Sequence, residues 1–283
     1  MHKSTAIRTF GAALASAGLW LAMTQQPPAQ ELTVTKVADD LHVIVGSGGN
    51  VGVYTTDEGV ILVDDKFEKD YPQIVEKVKS ITAKPIRYVL NTHLHGDHSG
   101  GNAKFLAAGV EVIAHENAQV LMEEKKMPGV PRLSFHDRMN VKLGGKTVSA
   151  NHYGRGHTKT DAVMYFPGAR TIHTGDLFVA GAPFIDYSSG GSGLEWTRTI
   201  DRALALDFDT VIPGHGPVMK RAELLQWKQS FETLKMQLSQ MQREGKTADE
   251  AKAAVNFDKL PGWAAGRLWD RSFPGLYEEL KKN

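Results

Sequence analysis

Cysteine is missing from the 283 residues of the sequence. The chain therefore forms no disulfide, and no lipid can be attached to a thiol. A protein without thiols avoids stray oxidation outside the cytoplasm, so the absence is compatible with export. Internal repeats and low-complexity segments are missing as well, which argues against a repeat architecture.

An excess of charge of either sign is also missing. The sequence has 33 Lys and Arg against 32 Asp and Glu, a formal net charge of +1, and the two signs are interleaved along the chain. Proteins that bind nucleic acid usually carry a basic patch or stripe, so we expect no nucleic acid partner. The 41% of apolar residues are enough for a sizeable core, in one large domain or two small ones.

The apolar run near the N-terminus, from Phe10 to Met23, is shorter than the ~20 residues that a transmembrane helix needs. Lys3 and Arg8 precede this run, and a polar stretch with two prolines follows it. This order is typical of a secretory signal peptide, which we place at residues 1–29. An uncleaved N-terminal anchor is the alternative. We therefore expect a periplasmic or secreted protein with no stable membrane insertion after cleavage.

One short stretch, residues 92–98, concentrates side chains that can bind a metal. It contains His93, His95, Asp97 and His98, and imidazole and carboxylate are both ligands for zinc. The apolar residues just before it predict a buried strand, so the ligands would lie where a strand opens into a loop. Their spacing lets His93 and His95 point to one side of the loop and Asp97 and His98 to another. One short loop could therefore bind two adjacent metal ions. A surface cluster of titratable residues is the alternative.

Three further candidates follow in the chain: His157, Asp176 and His215. Each follows or interrupts a glycine-rich turn, and the last two come directly after apolar strand-like runs. The whole pattern resembles the signature of the metallo-β-lactamase superfamily, which is H-x-H-x-D-H, then a lone His, a lone Asp or Cys, and a last His. The resemblance extends from about residue 38 to 218 and includes every part of the signature in order.

The resemblance implies an α/β fold, the αββα four-layer β-sandwich, in which helices cover the outer faces of two packed sheets. We expect a catalytic domain at 30–218 and a C-terminal helical extension at 219–283 that packs on the same domain. Within the extension, apolar spacing predicts a long helix from Arg221 to Arg243. Thr247 and Glu250 form a capping-box pattern that begins another helix.

The resemblance also implies two Zn²⁺ ions per chain. The first ion would be held by His93, His95 and His157. The second ion would be held by Asp97, His98 and His215. Asp176 would bridge the two ions, because two dications at close range need an anion between them. A metal-bound hydroxide would then attack a carbonyl, and Asp97 would orient it as the catalytic carboxylate.

The substrate class is left open by two positions. The largest subclass of β-lactamases in this family carries Cys where this chain has Asp176, and Lys where it has Val179. Asp176 instead resembles the glyoxalase II and lactonase branches, and His95 favours zinc because di-iron relatives carry Glu there. The prediction is an exported zinc hydrolase of a small-molecule amide, lactone or thioester. The alternatives are an inert binding or accessory protein of the same fold and, less favoured, a phosphodiesterase.

Three segments around the motif are also expected to contribute. Asp64, at the end of an apolar strand, matches a family residue that supports the metal loop from behind. The glycine-rich segment 46–50 can reach over a neighbouring cleft. The long loop 179–193 follows Asp176 and is expected to border the substrate cleft. Its apolar wall is predicted to consist of Phe178, Phe184, Ile185 and Tyr187.

Overall fold

Two β-sheets form the centre of the protein, whose structure is a computed structural model that describes residues 31–263 and 266–281. The predicted signal peptide, residues 1–29, lies outside these described residues. Within them, no helix combines the length and the hydrophobicity that a membrane span requires.

The first sheet has seven strands, and they follow one another in chain order across it. They are β1 (Thr33–Ala38), β2 (Leu41–Val45), β3 (Val51–Thr55), β4 (Val60–Val63), β5 (Ile86–Leu90), β6 (Glu111–His115) and β7 (Leu133–Phe135). Strands β1 to β4 are antiparallel, whereas β4 to β7 are parallel. Because parallel strands share a direction, β4, β5 and β6 all end at the same edge of the sheet.

The second sheet has six strands in the order β13-β12-β11-β10-β9-β8. They are β8 (Arg138–Leu143), β9 (Lys146–Asn151), β10 (Val163–Phe166), β11 (Thr171–His173), β12 (Thr210–Ile212) and β13 (Met219–Lys220). All neighbours pair antiparallel except β11 and β12, which are parallel and end together.

Eight α-helices surround the sheets in the described part of the chain. They are α1 (Tyr71–Ile81), α2 (Gly96–Ser99), α3 (Asn102–Ala107), α4 (Glu116–Glu124), α5 (Gly193–Leu204), α6 (Arg221–Arg243), α7 (Ala248–Ala254) and α8 (Arg267–Leu280). Helix α6 has the predicted bounds. The capping box before α7 is confirmed, because Thr247 and Glu250 exchange side-chain to backbone hydrogen bonds of 3.3 and 2.8 Å.

Alternation along the strands divides the core into layers, because successive side chains point to opposite faces. Val43 and Phe166 meet between the two sheets, whereas Ile44, next to Val43, packs outward with α1 and α3. Ile172 packs outward from the second sheet against α5, α6 and α8. The described residues therefore form the predicted αββα sandwich, with helices on both outer faces.

Three strands were not predicted from the sequence. Strand β1 is largely exposed at the sheet edge and lacks a clean apolar alternation, while β7 and β13 have three and two residues. Strands this short are defined by pairing with a neighbour, and local periodicity carries little information about them.

The packing of α6 generates a stability prediction. Phe231 is fully buried, and its ring centroid lies 5.6 to 5.8 Å from those of Trp196, Trp227 and Trp263. We expect Phe231→Ala to lower the free energy of unfolding by about 3–5 kcal/mol, because it removes a ring and leaves a cavity. Met236 on the same helix is 64% exposed, so Met236→Ala should cost less than about 0.5 kcal/mol. Urea denaturation measures both; equal losses would contradict this packing.

Candidate metal centre

The loop that follows β5 carries four of the candidate ligands, and Asp64 fixes it. Asp64 follows β4, is fully buried and has φ 64°, a left-handed conformation that few residues other than glycine adopt. Its Oδ1 accepts from the backbone N–H of Thr92, and its Oδ2 accepts from Thr92 Oγ1 and His98 Nδ1, each at 2.7 Å. Strained residues persist where their surroundings over-determine them. Asp64 therefore supports the loop from behind, as the sequence predicted.

All seven candidate ligands meet at the edge where β5, β11 and β12 end, and they form two groups. The donor atoms within each group lie within 4.8 Å of one another. The first group consists of His93, His95, His157 and Asp176. The second group consists of Asp97, His98 and His215. His115 and His136, two histidines outside the motif, belong to neither group.

Outer hydrogen bonds determine which ring nitrogens face the first group. His157 Nδ1 donates to the backbone oxygen of Phe184 at 2.6 Å, because a carbonyl oxygen can only accept. His95 Nε2 donates to the carboxylate of Asp186 at 2.9 Å. When the rings are neutral, His157 Nε2 and His95 Nδ1 each carry a lone pair instead of a proton. These two nitrogen atoms face each other at a distance of 2.9 Å. Two lone pairs at this distance repel unless a proton or a metal cation lies between or beside them, so the geometry is that of a cation site.

Two buried atoms of the centre, His93 Nε2 and Asp176 Oδ1, have no hydrogen-bond partner among the described residues. Nearly all buried polar atoms are satisfied, so these two need an explanation. Asp176 Oδ1 lies 3.2 Å from His98 Nε2 and 3.4 Å from His215 Nε2. A divalent cation among these atoms would satisfy them, and imidazole with carboxylate suits zinc and similar ions. The residues present fit a bound metal.

Burial and charge determine the protonation of the centre. Burial holds the pKa of His93 well below its ordinary value and lowers the pKa of His157 to about 4, so both rings are neutral and able to bind a metal. Burial opposes ionisation of Asp176, but nearby His98 outweighs it and holds the pKa of Asp176 well below its usual range. Burial also disfavours the charged form of His215, yet Asp176 raises its pKa to about 9. A metal that replaces protons in the second group would release them to solvent.

Asp186 is a part of the centre that sequence reasoning missed. Burial opposes its ionisation, but the hydrogen bond from His95 outweighs this effect and holds the pKa of Asp186 well below its usual value. The available signal was an acidic residue in the loop 179–193, which the sequence placed beside the cleft. Its contact with His95 joins positions 91 residues apart, and no local pattern indicates such a pairing.

The predicted apolar wall of this loop is wrong for three of its four side chains. Phe184 borders the centre, with its ring stacked 6.3 Å from that of His95. Phe178 and Ile185 are each 2% exposed and lie in the core, and Tyr187 packs against the same core. Apolar side chains gain free energy by leaving water, and this loop can bury them against α5, α6 and α8.

Segment 46–50 reaches the centre through a buried lysine that the sequence did not indicate. Lys66 is fully buried, and its Nζ donates to the backbone oxygens of Ser47 and Gly49 at 3.0 and 2.6 Å. Gly49 N–H then donates to the backbone oxygen of Asp97 at 3.1 Å. Burial lowers the pKa of Lys66 to about 8. Lys66 therefore ties this glycine-rich segment to the metal loop.

Comparisons with known proteins agree with this geometry. Residues 44–215 match the family model described as the metallo-beta-lactamase superfamily. A metallo-beta-lactamase type 2 from Bacillus cereus is 29% identical over 180 residues, which cover 61% of this chain and 69% of the relative. The 2,4-dinitroanisole O-demethylase subunit alpha of Nocardioides sp. is 27% identical over 184 residues, 61% of this chain and 55% of the relative. A solved metallo-beta-lactamase from Pontibacter korlensis has a TM-score of 0.62 at 24% identity, covering 69% of this chain and 95% of that one.

The contact between Gly49 and His98 gives a test of the second group. A Cβ at Gly49 would lie 2.2 Å from His98 Cε1, whereas a Cβ at Gly96 would meet nothing within 4 Å. We expect Gly49→Ala to displace the His98 ring and weaken divalent-metal binding at least about tenfold, and Gly96→Ala to leave it unchanged. Cobalt(II) titration monitored by visible absorption measures the affinity. Equal affinities in the two variants would show that the segment does not press on His98.

Proposed function

Because this chain belongs to the metallo-beta-lactamase superfamily and is a metal-dependent hydrolase, we propose that it is an exported binuclear zinc enzyme. Its reaction would be hydrolysis of a carbonyl compound, an amide such as a β-lactam, a lactone or a thioester. The observation that carries the proposal is the complete set of seven side chains in two groups, in which two buried facing atoms, His93 Nε2 and Asp176 Oδ1, have no hydrogen-bond partner among the described residues.

The orientation of Asp176 supports two ions with a shared ligand. Its Oδ1 lies 3.2 and 3.4 Å from the Nε2 atoms of His98 and His215, in the second group. Its Oδ2 lies 3.6 Å from His157 Nε2, in the first group. Each carboxylate oxygen therefore faces a different group, as a bridge between two cations requires.

When bound, the zinc ions would supply a hydroxide at neutral pH and polarise the carbonyl that it attacks. Asp97 would orient the nucleophile. Its Oδ2 lies 3.3 Å from His215 Nε2, and its side chain keeps 24% exposure. Burial opposes its ionisation, but hydrogen bonding with His215 and the charge of His98 lower its pKa. Asp97 would thus be a carboxylate at neutral pH, able to accept the proton of the nucleophile and pass it to the leaving group.

The substrate class rests on Asp176 and Val179. The relatives include a metallo-beta-lactamase and an O-demethylase subunit, so one fold serves different bonds in different proteins. Asp176 and Val179, the latter in place of a family lysine, favour a lactone or thioester over a specialised β-lactam.

Zinc content and turnover together test the proposed function. We expect about two zinc ions per mature chain and zinc-dependent hydrolysis of at least one of three probes: a β-lactam, an acyl lactone and a glutathione thioester. His157→Ala should lose one ion and most activity, because the first group loses an imidazole. His136, 73% exposed and outside both groups, provides the control His136→Ala. A zinc-loaded chain that cleaves none of the probes would favour the alternative of an inert binding protein, and full activity in His157→Ala would refute the ligand assignment.

Processing of the N-terminus tests the proposed export. If residues 1–29 form a signal peptide, the protein recovered from a bacterial host should begin near residues 25–30 and lie outside the cytoplasm. Intact-mass measurement of periplasmic and cytoplasmic fractions reports both. A chain that retains Met1 in the cytoplasmic fraction would contradict the proposal.

A further inference from the structure

Helix α8 lies beyond the family match at 44–215, yet it contacts the loop that orients two candidate ligands. We call residues 183–192 the orienting segment. It provides the backbone oxygen of Phe184, which accepts from His157 Nδ1, and the carboxylate of Asp186, which accepts from His95 Nε2. The backbone N–H of Asp186 also donates to the backbone oxygen of His157 at 2.9 Å. The position of this segment therefore decides where both imidazoles point.

Glu279 of α8 connects the middle of the orienting segment with its C-terminal end. Its Oε2 accepts from Tyr187 Oη at 2.9 Å and from the backbone N–H groups of Gly193 and Leu194 at 2.8 and 3.3 Å. Its Oε1 accepts from Ser192 Oγ at 2.5 Å. One carboxylate therefore satisfies four donors, two of them backbone groups in the first turn of α5, where a negative charge is favoured.

Close packing fixes α8 against the same segment. Ile185 N–H, between Phe184 and Asp186, donates to Ser272 Oγ at 2.9 Å. A Cβ at Gly275 would lie 2.2 Å from the ring of Tyr187, so only glycine allows the helix this close. The helix and the segment therefore behave as one packed unit.

We propose that Glu279 is a positioning residue for the first metal group. It acts through Tyr187 and Ser192, which set the path of the orienting segment, and hence the directions of His95 Nδ1 and His157 Nε2. This inference rests on the proposed function, in which the first group holds a metal. It assigns part of that metal site to the C-terminal helix, outside the stretch that matches the family.

The effect should be selective for the first group. His98 is oriented by Asp64, which follows β4, and His215 follows β12. These supports belong to the two sheets, and the hydrogen bonds of Glu279 do not include them. Loss of the carboxylate should therefore weaken the binding of the metal ion in the first group and leave the binding of the other ion nearly unchanged.

The experiment measures two zinc dissociation constants in the full chain, by competition with a chromophoric chelator. We expect Glu279→Ala to raise one zinc dissociation constant about tenfold, which is the lower end of the effect of changing a residue outside the ligands. The other dissociation constant should change less than about twofold. Glu279→Gln keeps one acceptor oxygen and should lose less, which also guards against a folding failure of the alanine variant. Glu278→Ala is the matched control, because Glu278 is 60% exposed on the same helix and pairs with Lys281.

A double variant identifies the ion that is affected. When His157→Ala has already removed the first ion, adding Glu279→Ala should leave the remaining constant unchanged. If both zinc dissociation constants of Glu279→Ala equal those of the wild-type chain, the inference is overturned. A parallel rise of both constants, with a lowered Tm of the metal-free chain, would overturn it too, because Glu279 would then be only structural. A wild-type chain that binds no zinc would instead refute the proposed function itself.

Discussion

The candidate metal centre depends on the outer hydrogen bonds of its histidines. An imidazole has two nitrogens, and the partner of one decides whether the other is a lone pair and where it points. Asp64 holds His98, Asp186 holds His95, and the backbone oxygen of Phe184 holds His157. With these three contacts in place, the inner nitrogens of His95 and His157 converge to 2.9 Å, and that of His98 lies 3.3 Å from His215 Nε2. The site is therefore built to contain a cation.

The outer partners come from different layers of the sandwich. Asp64 follows a strand of the first sheet and has a strained conformation, while Asp186 lies in the loop that leaves the second sheet after β11. Neither sheet alone can orient all the imidazoles, so the centre forms only when the two sheets pack together. The buried interface between the sheets thus stabilises the fold and also sets the geometry of the site.

Two charged side chains, the buried Lys66 and the partly buried Glu279, extend this arrangement beyond the ligands. Lys66 Nζ donates hydrogen bonds to backbone oxygens of segment 46–50. The carboxylate of Glu279 accepts hydrogen bonds from residues 187–194. Both replace the water that these backbone groups would otherwise bind, and both hold loops that lack regular pairing. Loops at functional sites need such supports, because the strands and helices next to them do not fix their path.

The sequence by itself determined the chemistry of the ligands and most of the regular elements. Histidines and carboxylates spaced along one loop predicted a metal site, and the apolar period of α6 predicted its bounds. Only the tertiary structure decided that Asp186 contacts a candidate ligand and that Lys66 and Glu279 bind the loops beside the site. It also turned Phe178, Ile185 and Tyr187 towards the core. The reason is physical: the bond from Ser192 to Glu279 joins residues 87 positions apart, and such contacts follow from packing, which local periodicity does not encode.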